Sequence, residues 1–198
     1  MMSLRLILFG LITSALVGVV YVVTEPMIAE SKETARQAAL YALARPLLQQ
    51  GELQAPQTRT LPASRPESLA TELTITPISD GDQTLGVIIP LETRFGYNGT
   101  IRFLLALDQD RRVVGFRAVE HRETPGLGDQ IDVKKSDWMH AFTGLGYTDL
   151  ATEDWAVTAD GGIFDVFTGA TITPRATVNA LADTLAFFEA NPALLEVE

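Results

Sequence analysis

Residues 165–173 read DVFTGATIT, a run with three hydroxyls, one carboxylate and two very small side chains directly before Pro174. Pro174 favours the first turn of a helix, and the free N–H groups at a helix start favour an anionic group such as a phosphate. Gly169 and Ala170 would let a bulky group approach the backbone, and Thr171 offers a hydroxyl that can be esterified. The threonines also suit an ordinary helix cap. The run therefore predicts a helix start that is either a phosphate site or a plain cap.

The sequence on either side of this run predicts a helix after it and a hairpin before it. Apolar residues recur at helical spacing from residue 174 to about 190, and Asn191-Pro192 is a stop signal. Upstream, Asp160-Gly161-Gly162 is typical of a hairpin turn between Trp155–Thr158 and Ile163–Phe167. We expect the hairpin to lead the chain into the DVFTGATIT run, and the helix to bury an apolar stripe on a sheet.

Four earlier runs rich in β-branched and apolar residues predict strands. They are Thr71–Ile78, Thr84–Leu91, Thr100–Leu107 and Arg112–Glu120. The connections between them are short and polar, so consecutive strands are expected to pair antiparallel. The predicted fold class is therefore α+β, with a mainly antiparallel sheet packed with helices behind an N-terminal transmembrane helix and a stalk helix.

The N-terminal segment predicts a membrane anchor. Residues 6–23 carry no charge, and a helix of that length is about 27 Å long, close to the hydrocarbon thickness of a bilayer. A cleaved signal peptide fits less well, because Val22–Pro26 lacks a small-residue cleavage pattern. Arg5 just before the span favours a cytoplasmic N-terminus and an exported domain, although Lys32 and Arg36 follow the span.

Two further segments connect the anchor to the strands. Residues 26–50 have apolar positions at near-helical spacing and predict an amphipathic stalk helix that Arg45-Pro46 weakens at its end. Residues 51–70 contain three prolines and no apolar period, which predicts a linker. The predicted organisation is an anchor at 1–25, a stalk at 26–50, a linker at 51–70 and one domain at 71–198.

Composition limits the possible functions. The chain has 198 residues, a formal net charge of −10 and a pI near 4.6, which argues against nucleic-acid binding because phosphate backbones need compensating Lys and Arg. It has no cysteine, so thiolate nucleophiles, iron–sulfur clusters and cysteine zinc sites are excluded. His121 and His140 are too few for a histidine-rich metal cluster. If the chain transfers electrons, it needs an organic cofactor.

Three segments resemble signatures of the FMN-binding domain family. Asp165 followed by Thr168-Gly169-Ala170-Thr171 resembles its flavinylation motif. Glu123-Thr124-Pro125-Gly126-Leu127-Gly128 resembles a second signature, and Gly96–Ile101 looks like its Gly-Tyr-x-Gly segment. The segments stand in family order within about residues 85–188. With its anchor and stalk, the pattern is most similar to the G-subunit family of the Rnf (or Rsx) electron transport complex, and the C-subunit family of the sodium-pumping NADH:quinone reductase is the near neighbour.

The resemblance implies a covalent flavoprotein. FMN would be joined through its phosphate to Thr171 by a flavin transferase, and Asp165 would belong to the recognition sequence and position the turn. The phosphate would be lined by Thr168, Gly169, Ala170 and Thr173. The second wall of the flavin site would be a loop that includes Glu123, Thr124, Gly126, Leu127 and Gly128.

The same resemblance implies a role within a membrane complex. The chain would pass electrons between neighbouring redox centres of an Rnf/Rsx-type complex in the bacterial inner membrane, with its C-terminal domain in the periplasm and with ion translocation in other subunits. The expected partners are those subunits, the flavin transferase and the membrane. The redox chemistry belongs to the flavin, so no side chain is expected to act as a catalytic acid, base, nucleophile or metal ligand.

Two other functions remain open from the residues alone. The first is a membrane-tethered binding or assembly module without covalent flavin, in which Thr171 is a plain cap and the loop from Glu123 to Asp129 is a docking surface. The second is an exported hydrolase, which has little support because neither histidine accompanies a recognisable serine elbow.

Overall fold

The N-terminal part of the computed structural model is one long helix, α1, at Met2–Ala44. The structure describes residues 2–48, 52–81 and 83–196, with side chains from residue 5 onward. Residue 1 of the predicted anchor, residues 49–51 at the stalk–linker junction, and residues 82, 197 and 198 lie outside that description. Within it, α1 is the one helix long and apolar enough to cross a membrane, judged by length and composition.

The predicted anchor and stalk are parts of the same helix. α1 contains Pro26 and continues through it, so no break marks the predicted boundary between residues 25 and 26. The helix ends at Ala44, where the Arg45-Pro46 pair weakens helical continuation because a residue before proline is pushed out of the helical region. The chain divides into two units, residues 1–38 and 39–198, and the second contains the sheet.

The sheet of the second unit consists of six antiparallel strands. They are β1 (Glu52–Leu53), β2 (Gln57–Thr60), β3 (Glu72–Asp80), β4 (Gln83–Gly96), β5 (Gly99–Asp108) and β6 (Val113–Glu120). β3 to β6 are consecutive neighbours, and both β1 and β2 pair with β3. The predicted fold class and the four predicted strands are confirmed, and β4 extends five residues beyond its predicted end at Leu91.

The predicted linker contains two of these strands. β1 and β2 occupy part of residues 51–70 and hydrogen-bond to the edge of β3, with Glu52 opposite Ser79 and Gln57 opposite Ile75. The segment that the sequence predicts as a linker thus contains residues that extend the sheet. Their own sequence is polar and shows no strand period, and they are ordered because β3 presents an unpaired row of backbone groups.

Both faces of the sheet are covered by apolar residues. The first face carries the larger core and packs against α2, at Ile172–Ala190. The second face packs against Leu43 and Ala44 at the end of α1. Gly115 makes this approach possible, because a Cβ there would lie 2.6 Å from a methyl group of Leu43. Gly86 does the same for Leu47, at 2.7 Å.

Between β6 and α2 the chain forms short 3-10 turns instead of the predicted hairpin. They lie at Gly128–Ile131, Trp138–Phe142, Tyr147–Asp149, Thr152–Asp154 and Thr158–Asp160, and one more follows α2 at Pro192–Leu195. The predicted turn is present, with Gly161 at φ 94°. The prediction of two flanking strands is wrong, because the segments share only one parallel bridge, Val157 to Phe164. Phe164 instead packs its ring on Phe142 and Trp155.

Candidate functional site

A cavity of about 240 Å³ lies at the start of α2. Three segments of the domain form it, namely the β4–β5 turn, the loop after β6 and the DVFTGATIT run. Its lining residues are Tyr97, Glu123, Thr124, Leu127, Gly128, Gly169, Ala170, Thr171, Ile172 and Thr173. The structure thus brings together all of the predicted site residues except Asp165, Thr168 and Gly126. Tyr97 and Ile172 were not among them, although Tyr97 lies in the Gly-Tyr-Asn-Gly turn that the sequence marks.

The Thr171 hydroxyl does not cap α2. Thr171 is the N-cap residue, but its side chain makes no capping hydrogen bond. The hydroxyl of Thr173 does not cap the helix either, because it donates to the carboxylate of Glu123. The helix begins two residues before the predicted Pro174, with the Arg175 N–H donating to the Thr171 carbonyl at 3.2 Å. Thr171 is therefore a half-buried residue that lines the cavity beside the unpaired N–H groups of a helix start.

The turn before Thr171 is held by its backbone and by aromatic packing. Gly169 has φ 78°, a conformation that favours glycine, and the Ala170 N–H donates to the Phe167 carbonyl at 2.9 Å. The Phe167 ring packs on Trp138 with 5.0 Å between centroids, and the Trp138 indole N–H donates to the Asp165 carbonyl at 2.9 Å. The side chains of Asp165 and Thr168 are exposed and lie outside the cavity.

Glu123 joins the three segments around the cavity. Its side chain is buried, with the residue 5% exposed. One carboxylate oxygen accepts the Asn98 N–H at 3.0 Å, and the other accepts the Tyr97 N–H at 3.2 Å and the Thr173 hydroxyl. A Cβ at Gly128 would lie 2.5 Å from that hydroxyl oxygen and 2.9 Å from the carboxylate. Glycine at position 128 is therefore required by the close approach of Glu123 and Thr173.

The loop after Glu123 is fixed by a second buried carboxylate, Asp129. This carboxylate accepts the Gly126 N–H at 2.8 Å and forms an ion pair with Lys135. The hydrogen bond from Lys135 holds the pKa of Asp129 below its ordinary value, and the Gly126 N–H acts in the same direction. The Asn98 side-chain amide also donates to the Thr124 hydroxyl at 3.1 Å. Contacts within the protein therefore hold the loop in this conformation without a ligand.

Comparison with known proteins identifies the chain's family. Residues 96–186 match the FMN-binding domain family, and residues 2–43 match the RnfG N-terminal region. The chain is 40% identical over 196 residues to the G subunit of the ion-translocating oxidoreductase complex of Pseudomonas aeruginosa, and the match covers 96% of this chain and 88% of the relative. The chain belongs to the G-subunit family of ion-translocating oxidoreductase complexes.

Other members of the G-subunit family are similar over different lengths. The protein of that name from Pseudoalteromonas atlantica is 35% identical over 198 residues, with 96% of this chain and 87% of the relative covered. The one from Shewanella loihica is 47% identical over 113 residues, and the match covers 57% of this chain and 53% of the relative. The sequence-based choice of the Rnf family over the sodium-pump family is confirmed.

The residues at the cavity fit the FMN group that the name of the matched domain specifies. The helix start and Thr171 suit a phosphate, and no Lys or Arg is among the described lining residues, so backbone N–H groups would have to stabilise the anion. The cavity is smaller than the roughly 300 Å³ at which typical ligand pockets begin. Tyr97, Leu127 and Ile172 line it as well, and these three exposed apolar side chains would suit contact with a flat ring.

Proposed function

We propose that this chain is the FMN-carrying electron-transfer subunit of an ion-translocating oxidoreductase complex, with FMN joined through its phosphate to Thr171. Family membership and the FMN-binding domain support FMN binding and other subunits as partners. The observation that carries the covalent linkage is that Thr171 lines the cavity while its side chain makes no capping hydrogen bond. A plain helix cap would be expected to bond an N–H of the first turn.

The residues of the cavity would have different roles. Thr171 would form the phosphoester, and the first N–H groups of α2 would stabilise the phosphate charge. Gly169 and Ala170 leave the backbone accessible beside it, and the Thr124–Gly128 loop would form the wall next to the ring. The bound flavin would supply the electron-transfer chemistry, and the protein would orient it.

The exposed side chains before Thr171 suit recognition by the flavin transferase. Asp165 and Thr168 lie outside the cavity and make no described side-chain hydrogen bond, so they are accessible to another protein. Thr171 itself is only half-buried. The enzyme that attaches the flavin could therefore read the motif on the folded domain.

The anchor and the location are also part of the proposal. α1 would cross the bacterial inner membrane once, because its apolar stretch is long enough for a bilayer. Arg5 before the apolar stretch favours a cytoplasmic N-terminus and a periplasmic domain. A covalent tether suits that compartment, because a cofactor that dissociated there would be lost.

The linkage is tested on the full chain coexpressed with a flavin transferase, by intact mass and by colour after denaturation. We expect the wild type and Thr171→Ser to gain the mass of FMN minus water and to stay yellow when unfolded. Thr171→Ala should lose both signals completely. Thr152→Ala removes an exposed threonine hydroxyl elsewhere in the domain, and it should be loaded like the wild type.

The same experiment decides against the alternative of a tethered module without flavin. That alternative draws support from the exposed apolar rim of Tyr97, Leu127 and Ile172, which would also suit contact with another protein. If the wild type gains no mass while the transferase modifies a control protein, the covalent flavin proposal is wrong. An adduct that persists in Thr171→Ala would place the linkage on another residue.

A further inference from the structure

We infer that Glu123 is the positioning residue of the flavin site, and that its buried charge lowers the reduction potential of the FMN held there. This inference rests on the proposed function. It concerns one side chain that belongs to the loop after β6 and hydrogen-bonds to the other two segments of the cavity. Glu123 is one of the residues that line the cavity. Two properties carry the inference, namely the pattern of hydrogen bonds and the lack of a cation paired with Glu123 among the described residues.

The hydrogen bonds of Glu123 connect elements that are far apart in sequence. Tyr97 and Asn98 belong to the β4–β5 turn, and Thr173 belongs to the first turn of α2. All three groups donate, so both oxygens of the carboxylate act only as acceptors. A neutral amide cannot replace it without loss, because one of its two ends is itself a donor. The position therefore requires a carboxylate for this arrangement.

Close packing leaves the carboxylate little freedom to move. A Cβ at Gly96 would lie 2.9 Å from one oxygen, and a Cβ at Gly128 would lie 2.9 Å from the other. The side chain thus sits between two glycines that allow its approach from both sides. Contacts of this kind fix the distance between the turn at residues 96–99 and the start of α2, which together set the width of the cavity.

The charge of Glu123 is not neutralised by a cation among the described residues. Its hydrogen-bond donors are two backbone N–H groups and a hydroxyl, whereas Asp129 in the same loop is paired with Lys135. Adding an electron to a flavin near a negative charge without a paired cation is unfavourable, and water screens this charge weakly because Glu123 is buried. Glu123 should therefore hold the reduction potential below the value that a neutral residue would give.

The test uses the full chain loaded with FMN, and it measures the midpoint potential and the hydrogen exchange of the Tyr97 and Asn98 amides. In Glu123→Gln we expect a higher potential and faster exchange of both amides. Glu153→Gln removes one exposed carboxylate of the same domain outside the cavity, and it should leave both quantities unchanged.

Each outcome decides one part of the inference. A Glu123→Gln potential equal to that of the wild type, or a Glu153→Gln shift as large as that of Glu123→Gln, would overturn the role of the charge. Unchanged amide exchange in Glu123→Gln would overturn the positioning role. If Glu123→Gln does not fold, Glu123→Asp replaces it, because it keeps the charge but shortens the reach. It should show faster exchange at a potential near the wild-type value. A potential well away from that value would overturn the role of the charge, and unchanged exchange would overturn the positioning role.

Failure of the proposed function gives a different pattern. A wild-type chain without covalent FMN would overturn that proposal, and with it the claim about the potential. The amide exchange of Tyr97 and Asn98 can be compared between wild type, Glu123→Gln and Glu153→Gln in the unloaded chain. That comparison decides the positioning role without any flavin.

Discussion

The loop at residues 123–129 and the run at residues 165–171 face the same cavity, but different forces hold them. The first is fixed by two carboxylates. Glu123 accepts hydrogen bonds from the β4–β5 turn and from Thr173 in α2, and Asp129 accepts them from Gly126 and Lys135. The second is fixed by backbone bonds and by the packing of Phe167 on Trp138. Under the proposed function, the wall that a flavin transferase would read has its polar side chains free, and the opposite wall is held by side-chain hydrogen bonds.

The largest effect on stability is expected from crowding the fixed wall. Gly128→Ala would push a methyl group against Thr173 and Glu123, which should cost about 3 kcal/mol in the free energy of unfolding. Gly126→Ala is the matched change in the same loop. It meets open space but has φ 77°, so it should cost about 1 kcal/mol. Urea unfolding of the full chain in detergent, followed by tryptophan fluorescence, compares them, and equal losses would contradict the role given to the Glu123 contacts.

A smaller effect is expected from the pH dependence of the same wall. The pKa of Asp129 is lowered in the folded protein, first by Lys135. The stability from this ion pair is therefore present above the ordinary carboxyl pKa near 4, and it is lost as pH falls from there through the lowered value. Asp129→Asn lacks this contribution, so its melting temperature should fall less than that of the wild type between pH 6 and pH 3. An equal fall in melting temperature for the wild type and Asp129→Asn would show that the ion pair contributes nothing to stability.

The smallest effect is expected from the exposed side chains of the other wall. Thr168→Ala removes a side chain that makes no described hydrogen bond and lies outside the cavity. It should change the free energy of unfolding by less than about 0.5 kcal/mol. Unfolding is measured as for the glycine variants. A loss comparable to that of Gly128→Ala would mean that side chains also hold this wall, and the contrast between the two walls would disappear.

The sequence predicts those parts of the fold that local patterns specify. β3 to β6, the end of α1 and most of α2 follow from strand runs, a pre-proline residue and helical spacing. β1 and β2 could not be predicted, because they become strands by hydrogen-bonding to the edge of β3 and their own residues show no strand pattern. The hairpin before Phe167 was wrong for a similar reason. Its apolar residues serve an aromatic cluster with Trp138 and Phe142, which the local sequence cannot reveal.

The candidate site was predictable as a set of motifs but not as an arrangement. The resemblance selected most of the residues that line the cavity. It assigned Thr168 a place at the phosphate, whereas the structure puts that side chain outside the cavity. It also did not indicate that Glu123 bonds to Thr173 across fifty positions. Such a contact depends on how the loop and α2 meet, and no spacing rule within either segment encodes it.

The seating of Leu43 and Leu47 against Gly115 and Gly86 has a practical consequence for producing a water-soluble fragment. A cut after Ala44 would keep Leu47 but remove Leu43 and Ala44, which pack in one cluster with Ile78, Ile88, Leu104 and Ala106. The apolar surface exposed in this way would favour aggregation. A cut near residue 38 keeps the closing turns of the helix with the sheet. Solubility should therefore depend on a few residues that, from sequence alone, look like part of the stalk.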